Sequence, residues 1–438
     1  MSKFAQIIIT IMKRTVISML VFGLVISVSA QQSKKDIAAN HQLAGSTYYA
    51  YPGPQKALTP APAGEHPFYI SHYGRHGSRF LIDESDYAKP LETLEKAEEK
   101  GKLTSKGCEV LEKVRMMSDE AMNRYGELTP LGAQQHKGIA KRMMERFPEV
   151  FADSAVINAR STIVIRCILS MENELQQMLT MNPKLKITHD ASEHDMYYMN
   201  QDDRKLNKLV KGSIADSLFK QWSIKNVKSG PLMSRLFNDT AYVNKHVNAD
   251  KLRYQLFELA TVLQNVESRH QISMYDIFTN DELYDGWRAT NLWWFIHFGV
   301  NPYTNGKMPY SQRNLLHNII SQADSCIALP KPGATLRFGH DSMVMPLVCL
   351  MGINGFDQQI DNLDDVDVKG WRLYNIVPMA ANLQFIFYRK NVNDKDVLVK
   401  ILLNENEVTI PVKTDIAPYY HWKDVENYYN AKLAAYKE

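Results

Sequence analysis

Two short runs in this chain carry residue types that could do chemistry together: Tyr73-Gly74-Arg75-His76-Gly77-Ser78-Arg79 and, far downstream, Phe338-Gly339-His340-Asp341. The first sets a histidine between two arginines where a strand-like run, Pro67-Phe68-Tyr69-Ile70-Ser71, ends. The second sets a histidine beside a carboxylate after another apolar run, Ala334-Thr335-Leu336-Arg337-Phe338. Guanidinium groups grip phosphate oxygens in a bidentate fork, an imidazole can attack phosphorus, and a carboxylic acid can protonate a leaving oxygen. Arginines, histidine and acid together suffice to hydrolyse a phosphate monoester without a metal. Arg-His-Gly alone is a weak signal, since a polar loop with solvated arginines is the ordinary alternative. The two runs in this order are a strong one.

The pair resembles the histidine acid phosphatases, branch 2 of the histidine phosphatase superfamily, whose members include phytases and multiple inositol polyphosphate phosphatases. The family's first motif, R-H-G-x-R-x-P, is matched by Arg75-His76-Gly77-Ser78-Arg79-Phe80-Leu81, with Leu81 in place of the closing proline. Its second motif is matched by His340-Asp341. Three further stretches look similar to the family: Leu128-Thr129-Pro130-Leu131-Gly132 with Gln135, Arg160-Ser161-Thr162-Ile163-Val164-Ile165-Arg166 with Ser170, and Val377-Pro378-Met379-Ala380-Ala381-Asn382. The resemblance runs from about residue 67 to about residue 390 and is loose between about 195 and 320. It implies His76 as nucleophile and Asp341 as proton donor, with Arg75, Arg79, Arg166 and His340 binding the phosphoryl group. Arg160 is expected as a structural or rim arginine. The resemblance implies neither metal nor organic cofactor.

The elements that must position these residues alternate along the chain. Strand patterns at 67–75, 155–159, 185–188 and 334–338 are separated by helical patterns at about 86–100, 104–125, 130–147 and 162–181. That alternation predicts an α/β fold. We expect a three-layer sandwich with a mainly parallel central sheet flanked by helices, plus an inserted helical cap. After the second motif come an apolar helix at 343–351, a strand at 383–388, a hairpin at 397–410 and a helix at 423–436. The expected division is a signal peptide over 1–30 and an extended lead-in over the surface at 31–66. An α/β core at 67–190 and 326–438 and a cap at 191–325 follow, the cap's core holding Trp287, Trp293, Trp294, Phe295 and Phe298.

Lys13-Arg14, the apolar run Val16 to Val28 and the small residues ending at Ala30 read as a secretory signal, with Met12 a candidate start. Its cleavage removes three of 51 basic residues and no acid, leaving 48 bases against 48 acids. The mildly basic balance thus belongs to the leader, and nucleic-acid binding gets no support. Export permits disulfides among Cys108, Cys167, Cys326 and Cys349, but no spacing forces one. The histidines and acids between His189 and Asp195 lack metal-site spacing and are expected in a loop at the mouth of the site. His72 is expected in the core or at the pocket rim.

The chain is therefore expected to be an exported phosphatase working through a phosphohistidine, with an acid optimum and broad substrate range. A phytase or inositol polyphosphate phosphatase is the alternative. The basic residues Arg204, Lys205, Lys208 and Lys211 could serve that alternative, though a solvated face is their default. His340-Asp341 departs from the His-Ala-Glu typical of the multiple inositol polyphosphate enzymes. A phosphoryl-transferring mutase and an inactive binding protein rank lower. The expected partner is a small phosphate monoester, with no nucleic acid and no membrane insertion after cleavage; oligomeric state is not legible.

Overall fold

The first motif must end at the edge of something rigid, and a mixed sheet provides it. The structure, a computed structural model, describes residues 32–437; the leader and its cleavage point lie outside the described residues. Among the described residues there are eight strands: β1 (His66–Arg75), β2 (Val156–Ser161), β3 (Lys186–Ala191), β4 (Gly333–Gly339), β5 (Asn382–Arg389), β6 (Leu398–Leu403), β7 (Asn406–Glu407) and β8 (Tyr419–His421). They lie in the order β3-β2-β4-β1-β5-β6-β7, with β8 beside β6. β3, β2, β4 and β1 are mutually parallel, and β5 turns back antiparallel to β1. β4 and β5 are buried along their whole length, as a sheet covered on both faces requires.

The longer helices are α1 (Glu84–Glu99), α2 (Ser105–Ala121), α3 (Pro130–Arg146), α4 (Ile165–Met181), α5 (Ile214–Asn226), α6 (Ala249–Val262), α7 (Asn280–Phe298), α8 (Arg313–Ile327), α9 (Asp341–Met351) and α10 (Trp422–Ala434). One sheet face packs Ile70, Ile157, Leu336 and Ile386 against Ile139, Met143 and Met178 of α3 and α4. The other packs Tyr69, Phe385 and Phe387 against Leu316 and Ile320 of α8, Val344 and Leu347 of α9 and Val425 of α10. This is the expected three-layer α/β architecture.

Two boundaries differ from the sequence reading. Helix α8, placed largely in the cap by its position in the chain, lies on the sheet. Helices α1 and α2, placed in the core, instead share a separate apolar cluster with α6 and α7, built on Leu94, Leu111, Leu256 and Trp287. An apolar stripe shows that a helix is buried, but not which partner buries it. Trp287 lies in that second cluster, whereas Phe295 joins the sheet-side core.

The lead-in is a further correction. Residues 32–39 are helical and His41–Tyr48 form a 3-10 stretch, with Ile37, Ala44 and Thr47 buried. The prolines at 52, 54, 60 and 62 mark only the part that follows, and there the chain carries no helix or strand. The earlier half is threaded into the molecule and reaches the first motif.

Candidate active site

Strand register brings the two motifs together. β1 and β4 are parallel neighbours with Arg75 opposite Gly339, so both chains leave the sheet side by side. The His76 amide donates to the Gly339 carbonyl at 2.9 Å. β2 lies on the far side of β4 with Ser161 opposite Phe338, which delivers Thr162 and the first turn of α4 to the same edge. Ligands of open α/β sheets collect beyond such carboxyl ends. α9 begins at Asp341, so its N-terminal amides and dipole favour an anion there.

His76 is 1% exposed. Its Nδ1 donates to the Gly77 carbonyl at 2.9 Å, which fixes the tautomer and leaves Nε2 with a free lone pair. Burial, then Arg75, Arg166 and Arg79, push its pKa well below the usual histidine range, so the ring is a neutral base. The His340 ring stands edge-on at 5.9 Å between centroids. His340 Nε2 meets Thr162 Oγ1 at 3.3 Å, and the buried Cys167 Sγ lies 3.8 Å from the ring. Burial lowers His340 to about 4, with Arg166, Arg75 and Arg79 reinforcing the shift and Asp341 opposing it.

The three arginines are placed differently from one another. Arg75 is fully buried: its Nη1 donates to the carbonyls of Thr47 (2.5 Å) and Val377 (3.0 Å), and its Nη2 pairs with Asp341 Oδ2 at 2.6 Å. Arg75 therefore orients the Asp341 carboxylate as well as adding charge. Arg79 donates to the Phe80 carbonyl and lies over the Tyr48 ring at 5.2 Å. Arg166 sits beside Gly126 in the first turn of α4. In all three the Nε–H is buried and finds no acceptor among the described residues. Buried polar groups are normally satisfied, and three guanidinium donors set against the single carboxylate of Asp341 form a site for an oxyanion.

Asp341 is the first residue of α9, not its cap; His340 holds the cap position, and Asp341 Oδ1 accepts from the Ser342 amide at 2.8 Å. Burial alone would raise this carboxyl, but Arg75 and Arg79 hold it below the ordinary aspartate value. It is therefore ionised before an anion arrives. A phosphate dianion placed alongside reverses that balance and draws a proton to it.

The remaining motif residues hold the loop. Thr129 caps α3, donates its hydroxyl to the Ser78 carbonyl at 3.1 Å and sends its amide there at 2.8 Å. Gln135 accepts from the Ser78 amide and Ser170 from the Gly77 amide. The Ala380 amide donates to the His76 carbonyl at 3.0 Å, from a residue with φ 55°. Gly77 and Gly132 meet backbone to backbone: a Cβ on Gly132 would fall 2.3 Å from the Ser78 oxygen. Gly132→Ala is thus expected to shift the loop and lower kcat/KM by about 100-fold, which steady-state kinetics on an aryl phosphate would check.

Sequence reasoning missed Thr47 and Tyr48, because the lead-in gave no strand or helix signal. It also missed Asn265, which accepts from the Ser78 hydroxyl at 2.6 Å and donates to the Tyr48 carbonyl at 2.7 Å. Asn265 lies in the loosely matched middle of the chain, where no motif singles it out. His72 is buried with neither ring nitrogen bonded among the described residues, and burial pushes it down to about 3. Arg160 pairs with Asp195 at 3.5 Å, and His189 with Glu172 at 2.6 Å. Among the described residues no three His, Cys, Asp or Glu side chains converge on a metal position, and all four cysteines are free.

A cavity of about 870 Å³ opens from Arg79 and Asp341 outward between α5, α6 and α7. Arg253 and Lys220 bring positive charge to its walls, Asp216, Asp250 and Glu258 negative charge, and Trp293 and Trp294 an aromatic face. These two tryptophans, expected in the cap's core, line the cavity instead. Arg204, Lys205, Lys208 and Lys211 do not line it.

The fold and this edge define a class: an α/β protein with a histidine and three arginines converging where parallel strands end. The description "Histidine phosphatase superfamily (branch 2)" matches residues 74–404, and the chain belongs to that superfamily. Multiple inositol polyphosphate phosphatase 1 of Gallus gallus is 24% identical over 411 residues, 85% of each chain. The crystal structure of Bifidobacterium longum multiple inositol polyphosphate phosphatase in complex with inositol hexasulfate superposes with a TM-score of 0.73. That match has 20% identity and covers 87% of this chain and 96% of the other. The phytase from D. castellii gives 0.65 at 14% identity, covering 90% of this chain and 85% of that one.

Proposed function

We propose that this phosphatase cleaves phosphate monoesters through a phosphohistidine at His76, with inositol polyphosphates as its substrate class. The observation that carries the chemistry is the free Nε2 of a neutral, buried His76 amid three guanidinium groups with unmatched Nε donors. Arg75, Arg79 and Arg166 hold the equatorial oxygens, with His340 as a further contact. His76 Nε2 attacks phosphorus in line; the N–P bond forms as the ester P–O bond breaks, and Asp341 gives its proton to the leaving oxygen. Water then attacks the phosphohistidine, Asp341 takes one of its protons, and inorganic phosphate leaves. No step needs a metal.

The pH dependence follows from these charges. His340 is neutral above about 4, and burial with the neighbouring arginines keeps His76 neutral well below the usual histidine range. On the alkaline side a phosphate monoester loses its last proton near pH 6, and Asp341 is already ionised in the free protein. The proton needed by the leaving group then disappears. kcat/KM is expected to fall by about tenfold per pH unit above about pH 6. A flat profile from about pH 4 to about pH 8 contradicts Asp341 as the acid.

The substrate class rests on the cavity, which exceeds one phosphoryl group several times over and carries Arg253 beyond Arg79. The likeness to inositol polyphosphate phosphatases supports the same class. A broad acid phosphatase is the second reading, favoured by the apolar wall at Phe257, Trp293 and Trp294. Arg253→Ala is expected to raise KM for phytate about tenfold and KM for a simple aryl phosphate less than twofold. Equal effects on both favour the broad reading. Export remains part of the proposal and rests on the leader sequence; recovery of the protein in the cytoplasmic fraction of the native host would contradict it.

A further inference from the structure

Helix α6 turns Arg253, Tyr254, Phe257, Glu258 and Thr261 into the cavity, at the three- and four-residue spacings that make one helical face. A carboxylate among these is unexpected in a pocket for a polyanion, where it repels each phosphate group nearby. Glu258 interacts electrostatically with Arg79, the guanidinium shared with the chemical site, and with Tyr254 on its own helix. We propose that Glu258 is a specificity-determining residue that acts through its proton. As a carboxylic acid it donates a hydrogen bond to a phosphate oxygen beyond the transferring group, and as a carboxylate it expels that oxygen. This rests on the inositol polyphosphate reading above and adds to it a proton-dependent affinity that inorganic sulfate, a single group held by the arginines, does not share.

The surroundings fit such a role. Burial raises the Glu258 carboxyl to about 7, with Asp86 of α1 adding to the shift and Tyr254 and Arg79 opposing it. Tyr48, packed on Arg79, faces the same group. Both tyrosines are pushed upward by burial and stay neutral through this range. From α7, Asp285 interacts with Arg253. Asp250, at the start of α6, bonds the Ser229 hydroxyl. Glu258 thus changes charge where an inositol polyphosphate would meet it, while Arg79 remains a cation throughout.

Phytate itself titrates over the same range, so inositol hexasulfate is the better probe: its charge is constant and any pH dependence belongs to the protein. Its Kd is to be measured calorimetrically from pH 5 to 8.5 at fixed ionic strength for the wild type, Glu258→Gln and Glu258→Ala, with inorganic sulfate in parallel. Melting temperatures would confirm that each variant is folded. In the wild type the Kd for inositol hexasulfate should weaken by about tenfold between pH 7 and 8.5, the linkage expected when one carboxyl must be protonated. Both variants should lose most of that dependence, and sulfate should show the same profile in all three proteins. Parallel profiles for wild type and variants overturn the role of Glu258. Sulfate binding with no tighter binding of inositol hexasulfate at any pH, beside intact turnover of an aryl phosphate, instead overturns the inositol polyphosphate reading beneath it.

Discussion

His76→Ala is expected to reduce kcat by about five orders of magnitude or more on every monoester, the scale seen when a covalent nucleophile is removed. The reason is local. His76 Nε2 is left free by its tautomer, since Nδ1 donates to the Gly77 carbonyl. His340 stands opposite, but Thr162 already meets its Nε2 and Cys167 flanks its ring. Phosphate binding should survive in the variant, because the Arg75 and Arg79 guanidinium groups are anchored by the backbone of Thr47, Phe80 and Val377 and not by His76. Phosphate release by stopped assay, set beside inorganic phosphate binding by calorimetry, separates the two effects. Activity within about tenfold of wild type would place the nucleophile elsewhere.

Asp341→Asn should give the second-largest loss, and its size should depend on the leaving group. General acid catalysis is worth about 10²–10⁴-fold, and the full amount is expected where the leaving group is an alkoxide, as in an inositol or glycerol phosphate. A nitrophenolate needs little protonation, so the loss there should be about tenfold. The asparagine also leaves Arg75 Nη2 buried without its anion, which strengthens the hold on phosphate and lowers KM as kcat falls. A uniform loss across leaving groups would make Asp341 a positioning residue for Arg75, and not the acid.

The parts of this site legible in the sequence are those where chemistry restricts the residue type. His76, its flanking arginines and His340-Asp341 stand out because few other side chains can attack phosphorus or grip its oxygens. β1 and β4 were legible because buried strands read as apolar runs closed by glycine. Thr129 and Gly132 were visible as motif letters. Only the structure shows why they matter: the threonine caps α3 onto Ser78, and the two glycines let α3 touch the loop. What stayed hidden depends on long-range packing. Thr47 anchors Arg75 from 28 residues away and Asn265 ties Ser78 to Tyr48 across the chain; neither residue has a local pattern. The partition of α1, α2 and α8 between the two apolar clusters was illegible for the same reason. Arg75 reads in the sequence as a direct phosphate ligand, whereas in the structure it is buried against two carbonyls and pairs with Asp341, whose carboxylate it orients.

The most direct test of the phosphohistidine route is rapid-quench trapping with a ³²P-labelled aryl phosphate at about pH 5. After quenching into alkali, which preserves phosphohistidine, peptide mapping would locate the label. Label on the peptide carrying His76, formed within a turnover and absent from His76→Ala, is the predicted result. Turnover without any protein-bound phosphate, or label on His340, would contradict it.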